Sequence, residues 1–415
     1  MRPDKEDAGP HAFASAHQPL ADSALPHGRR HARHALKAAY VTRDGPLDVA
    51  SWSGTNRYMA LALEAQGVEM CYVGPLHDPY LTAKKVRYRI GRALGWRRYL
   101  PDRSHLSAKS YARQVRRRLE GSGCGVVFAT GPIPVAFLRT ELPVVFWADA
   151  TLPVMLDFYP SYSAVSRRSM RAGLELERRG LERTSLAIYS TEWAAGAAIE
   201  YFQLEPDRVM VVPFGANIDY TPTSAEIERI AEQRRLDQCQ LLFLAGEWER
   251  KGGDIGVEAA RWLNDSGIPT TLVVAGCSPP IDQSESFVEC RGFLDKRTET
   301  GQAELRQLLA ESHFLIHPAR AEAFGIVLAE ANAFGLPIVA SSVGGIGTIV
   351  RSGRNGYALS PEADGETYGA LVKEMFEDRK RMLNLARSSY HEYRSRLNWD
   401  VAGAAVLERL EQLVS

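Results

Sequence analysis

Two carboxylates and two cations carry the chemistry that this sequence offers. The carboxylates are Glu322 and Glu330, in the stretch HPARAEAFGIVLAEANAFGLPIVASSVGG over residues 317–345. Pro318 stops one element, Gly325 opens a helix predicted over 326–334, and Gly335 and Pro337 end it before a short buried strand, IVAS. Glu322 then sits in the loop before the helix and Glu330 in its opening turns, so both can face a crevice at the helix N-terminus. Unpaired amides at Gly325, Ile326 and Val327 and the positive end of the helix dipole suit a phosphate there. The cations are Arg250 and Lys251 in GEWERKGG, residues 246–253, between a predicted strand end and a helix start. Fixed cations at such a place stabilise charge on a departing diphosphate oxygen. Amides for a diphosphate and carboxylates for neighbouring hydroxyls together suit a sugar nucleotide. Each feature alone has an ordinary reading as well, a solvated helix face or a surface charge pair.

The elements that must position these groups alternate strand and helix along most of the chain. The folded part begins at Leu36, where KAAYVT is a short apolar strand, and a glycine-bearing loop, DGPLDVASWSGT, leads into a helix over about 56–66, the opening of a Rossmann-like unit. Gly54 is a single glycine where a nicotinamide-binding loop needs three; it either lets the backbone approach a ligand or makes a tight turn. GVVFAT and LPVVFWADAT read as buried strands. Ligands of open parallel sheets collect at the strand C-termini, which puts Asp149 near the crevice, as a hydrogen-bonding group or as a cap. After PFGANID and a cap at TPTSAE the alternation restarts with CQLLFLAGEWERKGG, TTLVVAG, ECRGFLDK and HFLIHP. The pattern predicts an α/β protein with parallel sheets covered on both faces.

The acidic stretch resembles the signature of the family 4 retaining glycosyltransferases: Pro318, Glu322, Ala323, Phe324, Gly325, Glu330, Gly335 and Pro337 match it in order. Lys251-Gly252 resembles the family's basic loop, and PFGANID its interdomain linker. The resemblance implies the GT-B fold, two Rossmann-like domains facing a central cleft, with the last helix crossing back near Trp399. Domains are expected at 35–218 with the returning helix 399–415, and at 219–398. It further implies a retaining hexosyltransferase that uses a UDP- or GDP-linked sugar as substrate, with no cofactor or metal, and a glycan or lipid-linked acceptor. By that likeness Lys251 holds the diphosphate with Arg250, Glu322 meets the transferred sugar, Glu330 the ribose, and Gly246, Phe324 and the Gly325 to Val327 amides complete the donor site. The loop GFLDK, with Phe293 and Leu294, is the candidate to meet the base, largely through backbone atoms. Three positions depart from the family: Glu247 stands where an Arg is common, Asp149 where a His often is, and Gly347-Thr348 where Pro-Glu often follows. These departures leave a catalytically silent nucleotide-sugar binder as an alternative, beside a sugar-nucleotide epimerase. No stretch declares the cofactor-bearing Lys of a phosphorylase.

At 415 residues the chain needs more than one core. Formal net charge is zero, so no global field points to nucleic acid. Five scattered cysteines without metal-ligand spacing read as reduced core thiols of a cytosolic protein. No apolar run is long enough to span a bilayer. Residues 1–34, rich in Ala, Pro and His, read as a disordered extension; His11, His17, His27, His31 and His34 have no fixed ligand spacing. Residues 84–118 hold thirteen Lys and Arg against Asp102, with Tyr88, Trp96, Tyr99 and Tyr111 among them. That segment reads either as a solvated helix face or as a basic, aromatic surface for anionic lipid or a polyanionic acceptor, peripheral at the inner face of a membrane.

Overall fold

The computed structural model describes residues 36–280 and 285–415; the extension and its histidines lie outside the described residues. Two parallel six-stranded sheets organise the chain. The first contains β1 (Lys37–Val41), β2 (Glu69–Val73), β3 (Val126–Ala129), β4 (Val144–Ala148), β5 (Leu186–Tyr189) and β6 (Val209–Val211), in the order β2-β1-β3-β4-β5-β6. The second contains β7 (Cys239–Leu244), β8 (Thr270–Ala275), β9 (Val288–Gly292), β10 (Phe314–His317), β11 (Ile338–Ser341) and β12 (Gly356–Leu359), in the order β12-β11-β10-β7-β8-β9. Strands such as VVFWA in β4 and FLIH in β10 are buried at every position, the mark of a sheet covered on both faces.

Topology decides where the sites lie. In the second sheet the chain runs outward through β7, β8 and β9, then returns to place β10 on the other side of β7. The loops after β7 and β10 therefore diverge at a switch point, which opens a crevice at their C-terminal ends. GEWERKGG and PARAEAFG are those two loops, so residues about seventy positions apart in sequence become neighbours. The first sheet has its own switch point between β1 and β3.

The last helix, Trp399–Val414, packs against Thr55–Ala65 of the first half. Its entry is fixed by Trp399, which stacks on Tyr58 (centroids 6.5 Å apart) and meets Trp147 edge-on, while its indole N–H donates to Asn217 (3.0 Å). Thr223 and Glu226 form a reciprocal cap that starts the helix Ser224–Gln233 after the linker. The cysteine expectation holds only in part. Cys124 and Cys239 are buried, Cys71 and Cys277 half-buried, and Cys290 on the edge strand β9 is exposed. Among the described residues no helix is long and apolar enough to cross a membrane.

Candidate active site

The loop after β7 ends at Gly252, whose φ of +72° starts the helix Gly253–Asp265. A Cβ there would lie 2.0 Å from the Pro318 carbonyl oxygen, so glycine lets the two crevice loops touch. That contact brings Lys251 onto Glu322: the ammonium pairs with Oε2, and His317 Nε2 donates to the same oxygen at 3.1 Å. All three side chains are nearly excluded from water. Burial opposes the charge on Glu322, but Lys251 and His317 outweigh it and hold the carboxyl well below its ordinary range. Burial pulls Lys251 down, against the attraction of Glu322. Burial likewise lowers His317, against the hydrogen bond and charge of Glu322.

Arg250 Nη1 donates to the Ala321 carbonyl (2.9 Å), and its guanidinium lies 5.3 Å from the ring centre of Tyr159. Its Nε and Nη2 both reach Glu247, at 3.1 and 2.8 Å. The residue that stands where the family often has Arg thus binds the neighbouring cation, so Arg250 enters the cleft partly neutralised while Lys251 is held by Glu322.

Two cavities meet along the tip of the helix Ile326–Ala333. One, of about 340 Å³, is lined by Asp149, Arg250, Lys251, Glu322, Phe324 and Gly325, among others. The second, of about 350 Å³, is lined by Phe293, Leu294, Lys296 and Arg297, with Val49 and Ala50 of the first half opposite. Gly246, Ile326 and Val327 line both, so the helix tip sits at their junction. Phe293 is 77% exposed beside the second cavity, a free aromatic face. Glu330 lines neither: it is fully buried behind Lys296, whose ammonium meets Oε1 at 2.6 Å, while Oε2 has no partner among the described residues. Burial raises the Glu330 pKa, and Lys296 only partly offsets it.

The first half adds groups that the sequence did not single out. Trp52 and Ser53 both have positive φ (49° and 55°), an uncommon backbone state for side chains of this size. In that conformation the Trp52 indole donates to Asp149 Oδ2 (3.1 Å) and packs edge-on against Phe214 (5.4 Å). Asn217 of the linker donates to the Ser53 carbonyl (2.9 Å), so the loop is tied to the residue that also holds Trp399. Burial raises the Asp149 pKa against the Trp52 hydrogen bond. Gly54, at φ +83°, caps the helix Thr55–Ala65 and lines neither cavity, although its neighbours Ser53 and Thr55 do. Phe214 meets Phe324 across the cleft at 5.0 Å.

The seam below the cleft accounts for Gly344-Gly345. A Cβ on Gly345 would lie 2.6 Å from the Thr191 methyl and 1.9 Å from the Ala323 carbonyl oxygen, so bare backbone is needed where the halves close on the Glu322 loop. Thr348, at the family's Glu position, donates its hydroxyl to the Glu192 carboxylate of the first half and accepts from the Glu192 amide (3.2 Å). A carboxylate is present at this place after all, but it comes from the other half.

Known proteins match both halves. The model described as Glycosyltransferase Family 4 matches residues 55–220, and that for Glycosyl transferases group 1 matches residues 225–392. A D-inositol 3-phosphate glycosyltransferase of Thermomonospora curvata is 30% identical over 242 residues, covering 53% of this chain and 55% of the relative. The lipopolysaccharide glucosyltransferase WaaG of Escherichia coli is 26% identical over 240 residues, 56% of this chain and 62% of that protein. The chain thus spans little more than half the length of the curated relatives it matches. A solved sucrose-phosphate synthase of Thermosynechococcus elongatus shares the fold, with a TM-score of 0.66 at 16% identity over 91% of this chain and 99% of that one. From its two facing parallel sheets, its paired crevice loops and the family models matched by each half, the chain belongs to the family 4 glycosyltransferases of the GT-B fold.

Proposed function

We propose that the chain is a retaining hexosyltransferase that moves a hexose from a UDP- or GDP-linked sugar to a hydroxyl of a glycan or lipid-linked acceptor. The observation that carries this reading is the helix tip at Ile326 and Val327, shared by a charged cavity on one side and an aromatic-edged slot on the other. A nucleoside diphosphate sugar has that same order of parts. The diphosphate lies on the amides of the tip with Lys251 and Arg250 beside it, the base lies in the slot against Phe293, and the hexose lies between Glu322 and Asp149. Glu330 meets a ribose hydroxyl through its unpartnered Oε2, a contact that requires Lys296 to move aside.

In the reaction the bond from the anomeric carbon to the diphosphate oxygen breaks as the acceptor oxygen bonds that carbon on the same face. The acceptor proton passes to the departing phosphate oxygen, and configuration is retained. Lys251 and Arg250 supply the positive charge that this oxygen needs, so no metal ion enters the scheme. Glu322, kept ionised, fixes Lys251 and accepts from a sugar hydroxyl.

Incubation of the protein with radiolabelled UDP- and GDP-hexoses tests the reading. Slow donor hydrolysis with retention, insensitive to EDTA, is expected. Saturable binding without turnover would instead mark a silent binder, which the Glu247 clasp on Arg250 favours, and inversion at C2 would mark an epimerase.

A further inference from the structure

The basic segment of residues 84–118 does not form one surface. Lys84 turns inward, to Asp78 at 2.5 Å and Ser107 at 3.0 Å, and Arg103 is drawn to the buried Glu177. The helix His105–Leu119 sends Tyr111, Ala112 and Val115 into the core. The helix Leu81–Ala93 behaves in the opposite way. Its inner face carries Lys84 and Tyr88, while Val86 and Ile90 point outward in a stripe that Leu94 continues, with Trp96 just beyond. Leu94 and Trp96 are 60% and 61% exposed, and Lys85, Arg89 and Arg97 are exposed around them.

A helix on a water-facing surface turns its apolar stripe to the core. Here that order is reversed, and cations flank the outward stripe, the pattern of a helix lying in a bilayer interface. Beside the helix a groove of about 480 Å³ is lined by Arg87, Trp96, Arg97, Arg98 and Tyr99, and the Arg87 guanidinium sits 4.4 Å from the Tyr99 ring centre. Fixed guanidinium groups of this kind suit the phosphate of a lipid headgroup. The groove is also tied to the cleft. Arg98 exchanges backbone hydrogen bonds with Ala164 and Ser166, and the same segment reaches Tyr159 under Arg250 only five residues earlier, within roughly 20 Å of chain.

We propose that this helix and groove form a docking surface for an anionic bilayer. Val86, Ile90, Leu94 and Trp96 enter the boundary between headgroups and acyl chains, and Lys85, Arg89 and Arg97 meet the anionic headgroups. Docking brings the cleft to the membrane surface; that this serves a lipid-linked acceptor rests on the proposed function, whereas docking itself does not.

The test is co-sedimentation of the full chain with vesicles of phosphatidylcholine alone or mixed with phosphatidylglycerol. Salt-dependent binding to the anionic vesicles alone is expected. The double variant Ile90→Ser/Leu94→Ser should lose about tenfold or more in partitioning, and Arg89→Glu/Arg97→Glu at least as much. Both should keep the wild-type circular dichroism spectrum and thermal midpoint, and any donor hydrolysis measured without vesicles, because the altered side chains lie outside the cleft. No binding to anionic vesicles, equal binding to neutral ones, or unchanged binding by the Ile90→Ser/Leu94→Ser variant would overturn the proposal. A failure of donor hydrolysis alone would leave it standing.

Discussion

The two ends of the cleft are built from the same parts and tuned in opposite directions. At one end Lys251 meets Glu322, at the other Lys296 meets Glu330, and both carboxylates are buried. Glu322 gains His317 as a second donor and is held ionised. Glu330 has one ammonium, one empty oxygen and a raised pKa. Satisfied charge needs no rearrangement when a leaving group develops its own charge, whereas an unpaired buried oxygen is stabilised by any hydroxyl that reaches it. Under the proposed function, the first end serves turnover and the second donor grip.

Removing Lys251 should break the comparison most severely. Lys251→Ala is expected to lower turnover by about 100-fold or more, in donor hydrolysis followed by product release, with donor binding weakened as well. Glu322→Gln should act mainly on turnover. Next in size, Glu330→Gln should weaken donor binding by about tenfold, measured by titration calorimetry, with a smaller change in turnover. An equal loss of turnover in the two Glu→Gln variants would erase the distinction between the ends. A smaller effect is expected for Trp52→Phe, which keeps a ring against Phe214 and removes the donor to Asp149; turnover should fall several-fold to about tenfold with donor affinity nearly unchanged. A fall in affinity alone would assign Trp52 to binding.

The pH dependence of stability sharpens the same contrast at the smallest scale. The depressed Glu322 contributes stability that is present above its ordinary value of 4.5 and is lost as pH falls below it. Glu330 is raised, so the folded chain keeps a proton that the unfolded chain has released, and its contribution declines as pH climbs above 4.5. In melts across pH, the advantage of wild type over Glu322→Gln should therefore shrink in acid, and that over Glu330→Gln should shrink as pH rises. Parallel curves would show that the two carboxylates share one environment.

What the sequence displayed was whatever lay in one continuous run after a strand. GEWERKGG and PARAEAFG each follow a buried apolar strand and carry their own turn residues, so both loops could be expected from alternation, and their sharing of one crevice from the family resemblance. The alternation also located the strands to within a few residues, while the returning helix was expected from the family resemblance. Contacts made by conformations that no residue type announces stayed hidden. Trp52 reaches Asp149 across ninety-seven positions only because residues 52 and 53 adopt positive φ. Glu247 looked like a lost cation, and its grip on Arg250 depended on how the turn folds back. Lys84 read as one more exposed charge until Asp78, six residues earlier, drew it inward. In the same way Thr348 looked like a missing carboxylate, and the carboxylate it meets belongs to a residue far away in the chain.

The most direct measurement is a crystal structure of the protein with UDP or GDP bound. The diphosphate should lie on the amides of Ile326 and Val327 within reach of Lys251, with the base beside Phe293 and a ribose hydroxyl on Glu330, Lys296 being displaced. A nucleotide bound elsewhere, or one whose phosphates face away from Lys251, would contradict it.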